Sequence, residues 1–351
     1  MKRWMVVVLL LWLLTPACLG AEAEFGMDGL WSAAEEYGVD PDAGLEAGLD
    51  RLGEQALEEG GNYLRRSLRV GAELLAVVML CSFAEGVCAQ KSALTATQIA
   101  GALAITMLSV SNVESMVGLG RETVGKMNVV SAILLPAMAT LTAATGHVTT
   151  AAMRQGVTVL FGRILVGVID GLLIPLVYAY VAACCAYAAV GNEGLKKIAV
   201  LIKNLVTTIL TVTLVAFVGY ITASGAITGS ADAAAIKATR LAVSKAVPVV
   251  GGILADAAES ILVGAGVVKG TAGVVGLLVV LTLCVGPFLQ LGFHYLVYKL
   301  TAALTAAVAP PRLYGLLEQI GGAFGLVLGM TGASALLLLF SLVSGMKAVT
   351  G

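Results

Sequence analysis

Few residues in this sequence have the types and spacing that chemistry needs. The histidines are His147 and His294, far apart, and there is no H-E-x-x-H, G-x-S-x-G, G-x-x-x-x-G-K-[ST] or C-x-x-C pattern. The cysteines are Cys18, Cys81, Cys88, Cys184, Cys185 and Cys284. Cys81 and Cys88 fall on one face of a helix and Cys184-Cys185 are adjacent. In apolar surroundings they read as small packing residues rather than a disulfide or a metal site. His294 reads as a packing or interface histidine. No catalytic residue, cofactor or metal ligand is assigned, and the chain is not read as an enzyme.

What remains is charge inside apolar stretches: Glu73, Glu85, Glu114, Arg163, Asp170, Asp256 and Glu259. An unpaired charge in lipid is costly. Each therefore belongs to a polar path, such as a proton or ion relay, or sits at an interface or in a pair, as Arg163 with Asp170. For Asp256 and Glu259 both readings stand, because a Pro/Gly break adjoins them. Glu73 and Glu114 are read as interfacial.

The elements that must position these residues follow from composition. Hydrophobic residues make up 59% and charged ones 12%, with a mean hydropathy of +0.96. Soluble domains carry about 45–50% and about 25%. Twelve of the 22 acidic residues lie between Glu22 and Glu59, which leaves the rest still poorer in charge. Net charge is −1, so no basic field attracts nucleic acid. The apolar runs are long and unbroken, unlike the alternating segments of a β-barrel. The expected fold is an all-α, polytopic transmembrane bundle of roughly seven to nine membrane helices at about 20 residues each. With Gly at 42 residues, small residues dominate its buried surfaces.

Residues 1–23 read as a signal peptide: Lys2 and Arg3, an apolar core from Trp4 to Leu14, then Ala21-Glu22-Ala23 as cleavage pattern. Residues 24–69 form an acidic amphipathic segment with Leu45, Leu49, Leu52 and Leu57 at helical spacing. It is either a surface-lying helix or an extracytoplasmic element that docks a partner. Gly60-Gly61 is read as its break, with Arg65, Arg66 and Arg69 placed to meet lipid phosphates.

The membrane domain is expected over 70–351. Its spans are read as Val70–Ala89, Thr97–Leu119, Met127–Ala144, Val148–Ile169, Leu172–Val190, Ile198–Thr222, Gly273–Val297, Tyr298–Ala309 and Gly321–Met346. Near 230–268 the chain is more polar. Two short helices there flank Pro248, Gly251 and Gly252, and the second carries Asp256 and Glu259. This reads as an amphipathic or re-entrant hairpin whose irregular backbone needs shelter. In the last span Gly321, Gly325 and Gly329 form a ladder for close helix approach. Lys196 and Lys197 are the expected cytoplasmic anchor.

Lys237-Ala-Thr-Arg240, the run Ala246 to Gly252, Asp256-Ala-Ala-Glu-Ser260, Val267 to Gly276 and Tyr298-Lys-Leu-Thr-Ala-Ala resemble the stage III sporulation protein AE family. A departure is Gly270, where relatives carry a polar side chain. The resemblance implies a multi-pass protein of the mother-cell membrane around the forespore, in a channel or secretion-like complex. It implies as partners other stage III sporulation proteins of the same operon and a forespore channel protein, besides the lipid bilayer and further copies of the chain. It implies a permease-like core or scaffold and assigns no catalytic residue. The alternative is a self-contained secondary transporter of a small solute with the hairpin at its substrate site.

Overall fold

The computed structural model describes residues 27–41, 43–87, 91–144, 148–223 and 271–350. All regular elements among them are helical. A short helix, α1 (Met27–Glu36), precedes α2 (Gly44–Val87) and α3 (Lys91–Ala144). Helix α4 (Val148–Val168) runs through a π-helical turn, Ile169–Leu173, into α5 (Ile174–Val190). Then come α6 (Glu193–Ala223), α7 (Thr271–Thr305) and α8 (Pro311–Thr350).

Local chemistry explains the ends. Gly38 takes the left-handed conformation, φ 66°, and closes α1 with Val39 N–H donating to the Ala34 carbonyl at 2.7 Å and Gly38 N–H to Glu35 at 3.1 Å. That is the pairing by which a C-terminal glycine satisfies a helix's last carbonyls. Gly191 does the same for α5 at φ 75°, and Asn192 then starts α6 by accepting the Gly194 N–H at 2.8 Å. Pro311 opens α8 where its missing N–H costs nothing. The π-turn lies directly before Pro175, which has no N–H to return to the Gly171 carbonyl.

Six helices among the described residues are long and apolar enough to cross a membrane, against the seven to nine expected. The difference comes from helices that run on. The stretches Thr97–Leu119 and Met127–Ala144 belong to one helix, α3, because Arg121 to Lys126 holds nothing that breaks a helix. Val148–Ile169 and Leu172–Val190 join through the π-turn, and Gly273–Val297 continues past Tyr298 within α7. Gly60-Gly61 is likewise no break but lies inside α2. Gly60 is buried against Leu289 and Phe293, so packing outweighs the cost of about 1 kcal/mol of a helical glycine. The sequence-based signal segment and the 230–268 hairpin lie outside the described residues.

Close approaches at small residues fix the directions of the helices. Gly48 meets Leu278, Gly60 meets Leu289 and Phe293, and Gly71 meets Val297 and Thr301, so α2 and α7 run parallel. Gly321 packs on Tyr298 and Gly276 on Leu342, so α7 and α8 are antiparallel. Gly101 meets Leu313 and Gly120 meets Val327, which sets α3 parallel to α8. Helix α8 is the axis: every residue from Ile320 to Val343 is buried. One core cluster gathers α2 to α8 around Tyr298, Phe324 and Phe217, and a second joins α1 to α3, α7 and the far half of α8.

Candidate functional site

Among the described residues the bundle brings polar groups together in several places, four of which are described in turn; the first is a cavity of about 280 Å³. Its walls come from α2 (Gln55, Glu59, Tyr63), α3 (Leu119, Glu122, Thr123, Lys126), α7 (Thr282, Leu283, Val285, Gly286, Pro287) and Tyr37 beyond α1. Pro287 has no N–H for the Leu283 carbonyl, so α7 is missing a rung where it borders the cavity. Gly286 leaves room beside that rung: a Cβ there would stand 3.6 Å from Glu59 Oε2. Tyr63 donates its hydroxyl to the same Glu59 oxygen at 3.2 Å, and Lys126 pairs with Glu122 at 2.8 Å. Thr123 and Thr282 donate back to the carbonyls of Leu119 and Leu278 at 2.7 and 2.8 Å, which turns their lone pairs outward. Burial, with Glu36 beside it, pushes the Tyr37 phenol above its ordinary value, so it stays protonated. A second, smaller cavity shares Tyr37, Leu52, Gln55 and Thr282 and reaches the Arg51–Asp40 pair.

The second place lies between α5, α6, α7 and α8. Tyr180 donates to the Gln319 carbonyl at 2.9 Å, and Lys299 meets Glu318 at 2.9 Å. Lys203 Nζ and Tyr180 Oη both reach the space over Gly322. Gln319 Oε1 is buried with no hydrogen bond among the described residues. A lysine in the middle of an apolar helix marks a polar element inside a membrane bundle.

The third is an interhelical charge pair. Arg121 Nε stands 3.2 Å from Asp170 Oδ1, which is buried and makes charge contact without hydrogen-bond geometry. The expected partner of Asp170 was Arg163, two turns earlier; the π-turn instead faces Asp170 toward α3. The fourth is a polar seam. Ser67 of α2 and His294 Nδ1 lie 3.0 Å apart, His294 Nδ1 is 2.9 Å from the Gln290 carbonyl, and Tyr298 donates to Ser109 at 3.2 Å. His294 stacks edge-on to Phe324, in keeping with a packing role.

Of the other charges singled out in the sequence, Glu73 and Glu114 are exposed, while Glu85 Oε1 is buried without a hydrogen bond. Pro248, Gly251, Gly252, Asp256 and Glu259 lie outside the described residues. Gly321 lies close on α7: a Cβ there would be 3.1 Å from Tyr298 Cβ and 3.5 Å from the Lys299 nitrogen. Gly325 and Gly329 are buried. Sequence reasoning passed over Glu59, Tyr63, Lys126, Arg121, Lys203, Lys299 and Glu318 as site residues. Lys203, alone in an apolar run, and Pro287, inside another, were the signals available.

Among the described residues no group of three His, Cys, Asp or Glu could hold a metal ion. Cys81, Cys184, Cys185 and Cys284 are free thiols. The arrangement can hold charge and water between helices, and where a hydroxyl meets a base, Ser67 at His294 Nδ1, both residues are buried between helices.

Comparisons with known proteins give one family. The stage III sporulation protein AE of Bacillus subtilis (strain 168) is 20% identical over 202 residues, covering 58% of this chain and 51% of that protein. The chain thus spans about half the length of the curated relative it matches. No solved structure matches. The family profile described as Stage III sporulation protein AE (spore_III_AE) matches residues 46–348, nearly all of α2 through α8, and the chain therefore belongs to that family.

Proposed function

We propose that this chain is an integral membrane component of the sporulation channel complex joining mother cell and forespore, acting as its permease-like core or scaffold. The observation that carries the reading is the family match over 46–348 laid on a chain with six helices able to cross a membrane. Its place in this reading is the mother-cell membrane around the forespore. Its partners are other stage III sporulation proteins of the same operon, a forespore channel protein and further copies of itself. The buried course of α8 supports the scaffold role. Side chains fill the axis of the bundle, so a conduit is completed with other subunits rather than through the centre of one. The role needs no catalysis.

The test is an affinity-tagged chain recovered from sporulating cells, together with a deletion strain. Sporulation is expected to stall after engulfment in the deletion strain, and the operon's other membrane products to co-purify with the tagged chain. Normal spores from the deletion strain, or a chain that purifies alone, would remove the proposal.

A further inference from the structure

We propose that the cavity between Tyr37, α2, α3 and α7 binds a small organic cation, a primary ammonium on a short carbon chain. This goes beyond the sporulation reading and does not depend on it.

The cavity is short of protons to give and rich in oxygens to receive. Tyr63 spends its hydroxyl proton on Glu59, Thr123 on Leu119 and Thr282 on Leu278. Lone pairs of these three oxygens remain, along with the Leu283 carbonyl that Pro287 cannot serve. The charged groups facing the space are Glu59, Glu122 and Lys126, two carboxylates against one ammonium. Lys126 is taken by Glu122 at 2.8 Å, and among the described residues Glu59 has no cation partner. The missing charge is therefore one positive charge next to Glu59.

Size and shape separate an ammonium from a bare metal ion. A volume of about 280 Å³ equals roughly nine waters at about 30 Å³ each. A calcium ion asks for six to eight oxygens at about 2.3–2.6 Å, and of the two carboxylates on the cavity only Glu59 is without a cation partner among the described residues. The rings of Tyr37 and Tyr63 also border the space, and aromatic faces attract an organic cation. A chain of a few methylenes fits against Leu52, Ala56 and Leu283.

The experiment is calorimetric titration of the full chain in detergent with 1-aminobutane. 1-Butanol serves as the uncharged isostere and calcium chloride as the metal arm. Saturable binding of the amine and none of the alcohol is expected. Glu59→Gln, an exposed position whose loss leaves folding intact, should weaken the amine by about tenfold, the worth of one charged hydrogen bond. Asp50→Asn makes the same charge change on the outward face of α2 and should leave binding unchanged. Tyr63→Leu, a second and independent variant, should weaken it several-fold. Equal affinity in Glu59→Gln, equal weakening by Asp50→Asn, binding of calcium alone, or no saturable binding would each overturn the proposal.

Discussion

The two halves of α2 present the same inner face and different outer ones. Inward, Gly48, Gly60, Ser67, Gly71, Leu74 and Val78 carry the helix along the bundle, with its glycines set against α7. Outward, the first half exposes Glu46, Asp50, Glu54 and Glu58 along with Leu49 and Leu57, and the second exposes Leu68, Met79, Leu80, Phe83 and Val87 along with Glu73. Arg65, Arg66 and Arg69 stand exposed at the changeover. One unbroken helix of 44 residues, about 66 Å at about 1.5 Å per residue, is longer than the about 30 Å hydrocarbon core. The inner face is therefore set by packing, while the outer face has the composition that water asks of the acidic half, lipid of the apolar half and headgroups of the arginines between them.

The sharpest way to break this contrast is to exchange the solvents. Leu80, 69% exposed on the apolar half, changed to Arg should cost about 3 kcal/mol of insertion. The readout is loss of membrane-integrated protein. Glu58→Arg, on the acidic half of the same helix, should stay within about 0.5 kcal/mol.

The common inner face is probed by filling it. Gly71→Leu meets Val297 and should lower stability in detergent by about 1–3 kcal/mol through overpacking. Gly53→Leu, facing open space, should not lower it. Thermal unfolding of the two proteins side by side separates packing from helix propensity.

Elsewhere in the bundle the expected effects are smaller. Asp170→Asn should cost about 1 kcal/mol, since the Arg121 side chain is largely exposed, and the double exchange Arg121→Asp with Asp170→Arg should restore much of it. If the exchange does not recover stability in a double-mutant cycle, the pair is incidental. Ser67→Ala should cost about 1 kcal/mol by leaving His294 with the Gln290 carbonyl alone.

Helical character and membrane solvent were legible from composition, because the apolar runs admit no other element. The family was legible too, most specifically from Lys237 to Gly276, of which 237–270 lie outside the described residues. Helix ends were less so. Gly60-Gly61 and Arg121 to Lys126 look like interruptions along the chain, yet both stay helical: Gly60 packs on Leu289 and Phe293 of α7, and 121–126 holds no proline. The π-turn at Asp170-Gly171 bends the reading the same way: a local signal for a break becomes a local rewinding. The cavity was not legible. Glu59, Lys126 and Pro287 lie on three different helices, and only the parallel course of α2 and α7 brings Glu59 to Gly286. Sequence spacing also pointed Asp170 to Arg163, whereas tertiary packing supplied Arg121.

The change of solvent along α2 is tested most directly by single cysteines in a chain stripped of its native ones. Glu54→Cys, Glu58→Cys, Leu80→Cys and Phe83→Cys would each be exposed in sealed vesicles, opened to both sides, to a membrane-impermeant maleimide. Positions 54 and 58 are expected to label at once, and 80 and 83 only after detergent is added. Equal labelling of all four before detergent would contradict a lipid-facing second half and with it the membrane placement of the bundle.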